Sequence, residues 1–304
     1  MSRYAVTGAA GFIGSQVAEA LVAAGHDVVA LDCFTDYYDV GRKEENARDL
    51  DVQRVDLAED DFDFAGLDGV FHLAGQPGAR SFGDVFPLYL RRNVLATQRV
   101  FEAAVAAGIK VVWASSSSVY GDAERYPTPE DAAPRPNNPY GITKLTCEHL
   151  QGAYAREFGL EAVALRYFTV YGPRQRPDMA FARVVEALAR GGSFELYGDG
   201  SQSRSFTFVA DVVEATIAAL AATPGIYNIG GGEEATMRDA LALLEDVAGA
   251  QLAVTYGPTQ VGDMKRTKAD TARVEAELGW RARTPLREGL TRHWEWASAR
   301  VGSA

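Results

Sequence analysis

Tyr140 and Lys144 stand four residues apart in Tyr140-Gly141-Ile142-Thr143-Lys144, so a helix would carry a phenol and an ammonium one turn apart on one face. A phenol ionises near ~10 in water, and a base that works at neutral pH needs that value lowered by about 3 units, or ~4 kcal/mol. A fixed lysine charge is a direct means. Asn138-Pro139 precede the pair and read as an N-cap followed by proline in the first helical position. That sets Tyr140 at the positively polarised helix end, where a phenolate is favoured again. A lone Tyr-Lys pair also fits a solvated helix face, and the capping context argues against that alternative.

A second constellation lies at the N-terminus. The apolar strand Arg3-Tyr4-Ala5-Val6 runs into Thr7-Gly8-Ala9-Ala10-Gly11-Phe12-Ile13-Gly14 and then an alanine-rich helix. Gly8, Gly11 and Gly14 form a Gly-x-x-Gly-x-x-Gly turn, with glycines where a pyrophosphate must approach the backbone at a helix N-terminus. A further strand, Asp27 to Leu31, ends in Asp32, the acid expected to accept hydrogen bonds from the adenosine ribose. A carboxylate there repels a 2′-phosphate, so NAD is favoured over NADP.

The elements that must position these groups alternate. Strands are expected near Tyr4, Val28, Val52, Val70, Val111 and Val163, with helices between them, which defines an α/β protein with a doubly wound parallel (Rossmann) sheet. One long helix is expected from Asp84 to Ala107. After Gly172 the chain turns to Pro, Arg and Gly, as expected of a smaller α/β substrate-binding domain. The expected division is a dinucleotide-binding domain over 1–172, with returning segments at about 206–230, and a smaller domain over 173–304.

Composition bounds the function. The 304 residues, 47% hydrophobic, can bury a large core. The first strand begins within a few residues of Met1, leaving no room for a secretory segment, and no apolar run approaches spanning length, so a cytoplasmic protein is expected. Cys33 and Cys147 are too few for a disulfide framework and read as reduced thiols. His26, His72, His149 and His293 are scattered, with His72 in an apolar strand, so no metal site is expected. A net charge of −11 argues against nucleic acid and would repel a nucleotide, so local arginines must overcome the overall field. Arg174, Arg176, Arg204 and Arg266 are the candidates.

Taken in order, the glycine turn, Phe71-His72-Leu73-Ala74-Gly75, Asn93, Ser115-Ser116-Ser117-Ser118-Val119-Tyr120-Gly121, the Tyr-Lys pair, Arg166-Tyr167-Phe168-Thr169-Val170-Tyr171-Gly172-Pro173 and Arg204-Ser205-Phe206-Thr207-Phe208-Val209 resemble an extended short-chain dehydrogenase/reductase of the nucleotide-sugar epimerase and dehydratase group. The resemblance covers essentially the whole chain. It implies NAD held by Gly8, Gly11, Phe12, Ile13, Gly14, Asp32, Asp56, Leu57, Leu73, Ala74, Gly75, Asn93, Tyr140, Lys144 and Tyr167. It implies Tyr140 as base on a sugar C4 hydroxyl, Ser116 as relay, Lys144 on the nicotinamide ribose and the phenolate, and hydride passing from C4 to the nicotinamide and back to the other face. It further implies a homodimer in which the long helix and the Tyr140 helix form a four-helix bundle; packing of that helix on its own sheet is the alternative.

The fate of the oxidised sugar depends on the residues after Ser116. Sugar 4,6-dehydratases of this group carry Asp-Glu there, and nucleotide-glucuronate decarboxylases a Glu. This chain has Ser117 and Ser118, which donate hydrogen bonds but are poor bases, so epimerisation is the expected outcome. Three stretches, Asp32 to Val40, Thr169 to Ala180 and Gln260 to Asp263, resemble UDP-glucuronate 4-epimerases more than UDP-glucose ones. A 4-keto-uronate is a β-keto acid prone to lose carbon dioxide, so its carboxylate must be held charged by donors; Arg176 with Thr169, Ser117 and Ser118 are expected to supply them. Tyr197, Arg204 and Asp263 are further expected substrate contacts, with Arg204 on the diphosphate and Asp263 near the nucleotide ribose. UDP-glucose/UDP-galactose 4-epimerisation is the nearest alternative, and a non-catalytic NAD-binding sensor the alternative of a different class.

Overall fold

Valine-rich runs of three to seven residues build one seven-stranded sheet in which every pairing is parallel. In the computed structural model, which describes residues 1–78, 82–259 and 264–301, its strands are β1 (Arg3–Thr7), β2 (Asp27–Asp32), β3 (Val52–Arg54), β4 (Gly69–His72), β5 (Lys110–Ser116), β6 (Ala162–Tyr167) and a late one at Gly225–Ile229. With three intervening strands elsewhere, β7 (Thr169–Tyr171), β8 (Ser193–Tyr197) and β9 (Ser203–Phe208), that late strand is β10. The order is β3-β2-β1-β4-β5-β6-β10. Winding reverses between β1 and β4, the switch point where such a sheet opens a crevice at its carboxyl edge.

Side-chain alternation gives the sheet two apolar faces. Val6, Phe71 and Val112 face α1 (Phe12–Ala23), whose Val17 and Leu21 join the same cluster. Ala5, Val70, Val111 and Trp113 face the other side, where Val100, Phe101 and Cys147 lie. After α2 (Val40–Asn46), that second layer is made by α3 (Phe86–Tyr89), α4 (Ala96–Ala107) and α5 (Pro139–Phe158).

The helix expected from Asp84 to Ala107 runs without a gap, but its hydrogen-bond pitch changes along it. A 3₁₀ turn at Gly83–Val85 leads into α3, and a π-helical turn at Leu90–Leu95 separates α3 from α4. Within that turn Asn93 is buried and hydrogen-bonded to Gln76 and Thr143, which ties the wider turn to the cleft loop and to α5.

The remaining chain forms α6 (Ala180–Arg190), α7 (Val209–Ala218), β11 (Glu233–Thr236), α8 (Met237–Ala248), β12 (Ala253–Gly257), β13 (Arg266–Thr267), α9 (Ala272–Leu278) and α10 (Leu286–Val301). β9 pairs antiparallel with β11 on one edge, and β13 and β7 share its other edge; β8 pairs with β12. By sheet membership the chain leaves the large sheet after Tyr167 rather than at 172. It comes back to the first layer at Val209, not 206, since β9 belongs to the second sheet while α7 joins the α1 face. Among the described residues no helix is long and apolar enough to cross a membrane.

Two histidines are buried in this framework. His72 ends β4, with Nδ1 2.7 Å from the Thr7 hydroxyl and Nε2 3.0 Å from that of Thr97. His293 on α10 is fully buried with neither ring nitrogen hydrogen-bonded. Burial pushes each imidazole down to about 3, helped at His72 by the Lys144 cation. Both are neutral in the fold, whereas the unfolded chain takes up their protons below pH ~6.5. Their contribution is therefore complete above that pH and is lost toward pH 3, at about 1.4 kcal/mol per pH unit for each ring. Thermal melts from pH 7 to 5 should show a falling Tm, with a shallower fall for His293→Leu; equal slopes would remove His293 from the account.

Candidate active site

The carboxyl ends of β1 to β6 open into a cleft of about 700 Å³, walled on the far side by α6, β8 and β9. At its centre β1 turns through Gly8 into the N-terminus of α1. Gly8 has φ of +71°, and a Cβ there would lie 2.7 Å from the Ala74 amide nitrogen, so glycine alone lets β1 meet the loop after β4. A Cβ on Gly14 would lie 2.1 Å from the Gly8 carbonyl, so helix and turn are in direct backbone contact. The first-turn amides of α1, from Phe12 and Ile13 onward, have no partners within the helix and border the cleft. Asp32, at the end of β2, is fixed by the amides of Ala10 (3.1 Å) and Phe34 (2.7 Å). Leu73, Ala74 and Gly75 border the cleft, with the Ala74 amide bonded to Thr7. Asp56 and Leu57 reach its edge from β3, the Asp56 carboxylate being engaged by Arg91 and the Ala58 amide.

Tyr140 and Lys144 project from the first turns of α5 toward Ser116. Asn138 is the N-cap, its side chain accepting from the Gly141 amide at 2.8 Å, and Pro139 opens the helix. Lys144 is buried, donates to the Ala114 carbonyl at 2.8 Å and lies 5.8 Å from the Tyr140 ring centroid. A Cβ on Gly75 would sit 3.3 Å from its ammonium, so the lysine spans from β5 to the β4 loop. Ser116 ends β5, and its hydroxyl accepts from the Ser118 amide at 3.1 Å, which turns Ser117 and Ser118 into the cleft wall.

Thr169, Arg176, Tyr197 and Arg204 also line the cleft. Arg176 is paired with Asp178, Nε and Nη2 meeting the two carboxylate oxygens at 3.0 and 3.1 Å. Arg204 donates to the carbonyls of Ser203 and Met264.

Two expected contacts sit differently. Asn93 does not border the cleft: its side chain clips the Gln76 backbone and Thr143 from behind, so it shapes the Gly75 loop. Tyr167 borders it, but its hydroxyl is committed to Thr216 at 2.7 Å, away from the opening. Asp263, with the rest of Gln260 to Asp263, lies outside the described residues.

The cleft also holds residues that sequence reasoning passed over. Lys43 is buried and donates to Thr35 at 2.7 Å, and desolvation lowers its pKa. Arg92 donates to Gln76 at 3.0 Å, and Arg183 and Tyr38 complete the walls. Arg42-Lys43-Glu44-Glu45 reads as a solvated helical run, and only burial separates Lys43 from its neighbours. Among the described residues no three His, Cys, Asp or Glu side chains gather as a metal site, and both cysteines are free.

A glycine turn under a helix N-terminus, a ribose-height carboxylate and a Tyr-Lys pair on α5 that shares the cleft with Ser116 at the end of β5 define a dinucleotide-dependent enzyme site. The chain belongs to the NAD dependent epimerase/dehydratase family, whose model matches residues 4–230, and NAD is its cofactor. It is similar to the uncharacterized UDP-glucose epimerase YtcB of Bacillus subtilis (strain 168), 38% identical over 303 residues, covering 94% of this chain and 95% of that one. It is 32% identical over 316 residues to the UDP-glucuronate 4-epimerase of Thermodesulfobacterium geofontis (strain OPF15), with 99% and 98% covered. Its fold matches the crystal structure of UDP-glucuronic acid 4-epimerase from Bacillus cereus in complex with UDP-glucuronic acid and NAD, with a TM-score of 0.93, 35% identity and 98% and 99% covered.

Gly8→Ala should weaken NAD binding at least tenfold in calorimetry and should also lower the Tm of the apo chain, because the added Cβ meets the Ala74 backbone at a φ of +71°. Unchanged affinity would mean that the Gly8–Ala74 approach is not what seats the cofactor.

Proposed function

We propose that the protein is a 4-epimerase that interconverts UDP-glucuronate and UDP-galacturonate through a 4-keto sugar. The observation that carries this reading is that one cleft is lined by Ser116, Ser117, Ser118 and Tyr140 together with Arg176 and Thr169.

Bound NAD supplies a hydride acceptor and donor. The protein's own groups do the rest. Tyr140 takes the proton of the C4 hydroxyl as general base and returns it later. Lys144 lies beside it with one N–H used on Ala114, leaving two for the phenolate and a ribose hydroxyl. Ser116 polarises the C4 oxygen. Ser117 and Ser118 offer no carboxylate to remove a C5 proton or to protonate a leaving hydroxyl, which disfavours 4,6-dehydration. Arg176 keeps the sugar carboxylate ionised and hydrogen-bonded, which opposes loss of carbon dioxide. Arg204 serves the diphosphate, and Tyr197 the nucleotide side. Turnover requires the 4-keto sugar to present its other face while the nucleotide stays clamped.

One observation favours a second reading, epimerisation of UDP-glucose. Asp178 already neutralises Arg176, so a hexose without a carboxylate meets no unpaired charge there. We further propose a homodimer through α3, the π-helical turn and α5, since Phe86, Leu90, Leu95 and Ile142 are exposed on these adjoining helices.

Proton NMR of the protein with UDP-glucuronate and catalytic NAD should show UDP-galacturonate. A pentose product would mean decarboxylation, and conversion of UDP-glucose alone would establish the second reading. Tyr140→Phe should lower kcat by at least 10²-fold with NAD binding retained, which a non-catalytic sensor would not do. Sedimentation should give a dimer that Leu90→Arg dissociates; an unchanged mass would place the contact elsewhere.

A further inference from the structure

We propose that Asp178 and Tyr37 are positioning residues for acidic-sugar recognition, holding the Arg176 guanidinium in a fixed plane with one edge left for the sugar carboxylate. This deepens the uronate reading above and rests on it.

The guanidinium carries five N–H groups in a rigid fork. Asp178 takes two of them, from Nε at 3.0 Å and Nη2 at 3.1 Å, along one edge. Among the described residues no protein acceptor engages Nη1, and the Nη1–Nη2 edge remains to meet a second carboxylate side-on. Asp178 is itself held from outside its own loop, because the Tyr37 hydroxyl donates to its Oδ2 at 3.3 Å across 141 residues of sequence. Tyr37 belongs to the loop that comes after Asp32. In that loop Phe34 adopts a φ of +49°, and Lys43 of α2 anchors Thr35 at 2.7 Å. Burial and the Asp178 charge push the Tyr37 hydroxyl up to about 12, so it stays a donor throughout the neutral range. The ribose-side loop and the sugar-side arginine are thus one hydrogen-bonded unit.

The physical case is preorganisation. A free arginine loses rotamer entropy when it grips a ligand, and a fork already fixed by a bidentate partner does not. Asp178 also carries a charge of the same sign as a uronate. If it acted only as a counter-ion it would oppose the acid substrate, so positioning and simple neutralisation predict opposite signs.

The test compares kcat and KM on UDP-glucuronate and UDP-glucose for wild type, Asp178→Asn, Asp178→Glu, Tyr37→Phe and Arg176→Ala, with thermal melts to establish folding. Asp178→Asn should raise KM for UDP-glucuronate about tenfold, with kcat within about twofold and a clearly smaller change for UDP-glucose. Tyr37→Phe should do the same more weakly, and Asp178→Glu, which keeps the carboxylate, should recover part of the loss. In Arg176→Ala the further change Asp178→Asn should add nothing. A lower KM for UDP-glucuronate in Asp178→Asn would make Asp178 a competitor and overturn the proposal, as would equal losses on both sugars or no change on either. Wild-type protein that turns over only UDP-glucose would overturn the uronate reading and this inference together. Wild-type preference for the acid that survives Asp178→Asn would overturn this inference alone.

Discussion

The reaction centre hangs on a buried ion pair that touches neither cofactor nor substrate in any expected role. Glu148 and Arg166 are each 3% exposed in their side chains and meet through two hydrogen bonds of 2.6 and 2.9 Å. Two charges taken out of water cost several kcal/mol each unless every polar atom is satisfied, so such a pair persists only where its surroundings are complete. Here they are. Ser115 donates to Glu148 at 2.6 Å, and the outer Arg166 nitrogen reaches the Tyr120 hydroxyl and the Glu130 carbonyl. Tyr120 in turn donates to Asn228 on β10.

This network positions the side chains proposed to do the chemistry. Tyr140, Lys144 and Glu148 succeed one another at four-residue steps on α5, so one helix face presents all three to β5 and β6. Anchoring Glu148 to Ser115 and Arg166 sets the depth and rotation of the helix. One turn along, Lys144 reaches the Ala114 carbonyl, and one turn further Tyr140 lines the cleft that Ser116 also borders. The N-cap at Asn138 and the contact between Gly141 and the Ser118 carbonyl, 2.4 Å from a Cβ built there, close the other end.

The electrostatics of the cleft differ from those of the chain as a whole. Against a net charge of −11, the cleft collects Lys43, Arg92, Lys144, Arg176, Arg183 and Arg204, facing Asp32, Asp56, Asp178 and Glu195. Among the described residues, six cations over four anions give a locally positive site in an acidic protein, the condition for drawing in a dianionic nucleotide group. The two sides of the cleft are stitched by polar contacts: Arg174 to Glu19 at 2.8 Å, Gln16 to the Pro173 carbonyl at 3.2 Å, Arg42 to Glu186 at 3.2 Å and Arg300 to Glu45. Each of these engages α1 or α2, the helices on either side of β2, so the segments after Gly172 are registered on the elements around the glycine turn and Asp32.

The parts legible from the chain alone are those whose geometry is local. Gly8, Gly11 and Gly14 specify a turn because a Cβ at Gly8 or Gly14 collides with backbone, and Asn138-Pro139 specify where α5 starts because the cap bonds across three residues. The order of strands and the Rossmann winding are read from valine-rich runs alternating with helices, since a buried parallel sheet needs apolar side chains on both faces. Partnership between distant groups emerged only on folding. Packing placed Asn93 behind the loop, widened the expected long helix by a π-helical turn, buried Lys43 out of a charged run and paired Arg176 with Asp178. It also drew the seam between sheets at Tyr167. The reason is one of range: a turn or cap is settled by neighbours along the chain, whereas the partner of a charged side chain is settled by whichever group packing brings within about 3 Å, and nothing in a single sequence records that distance.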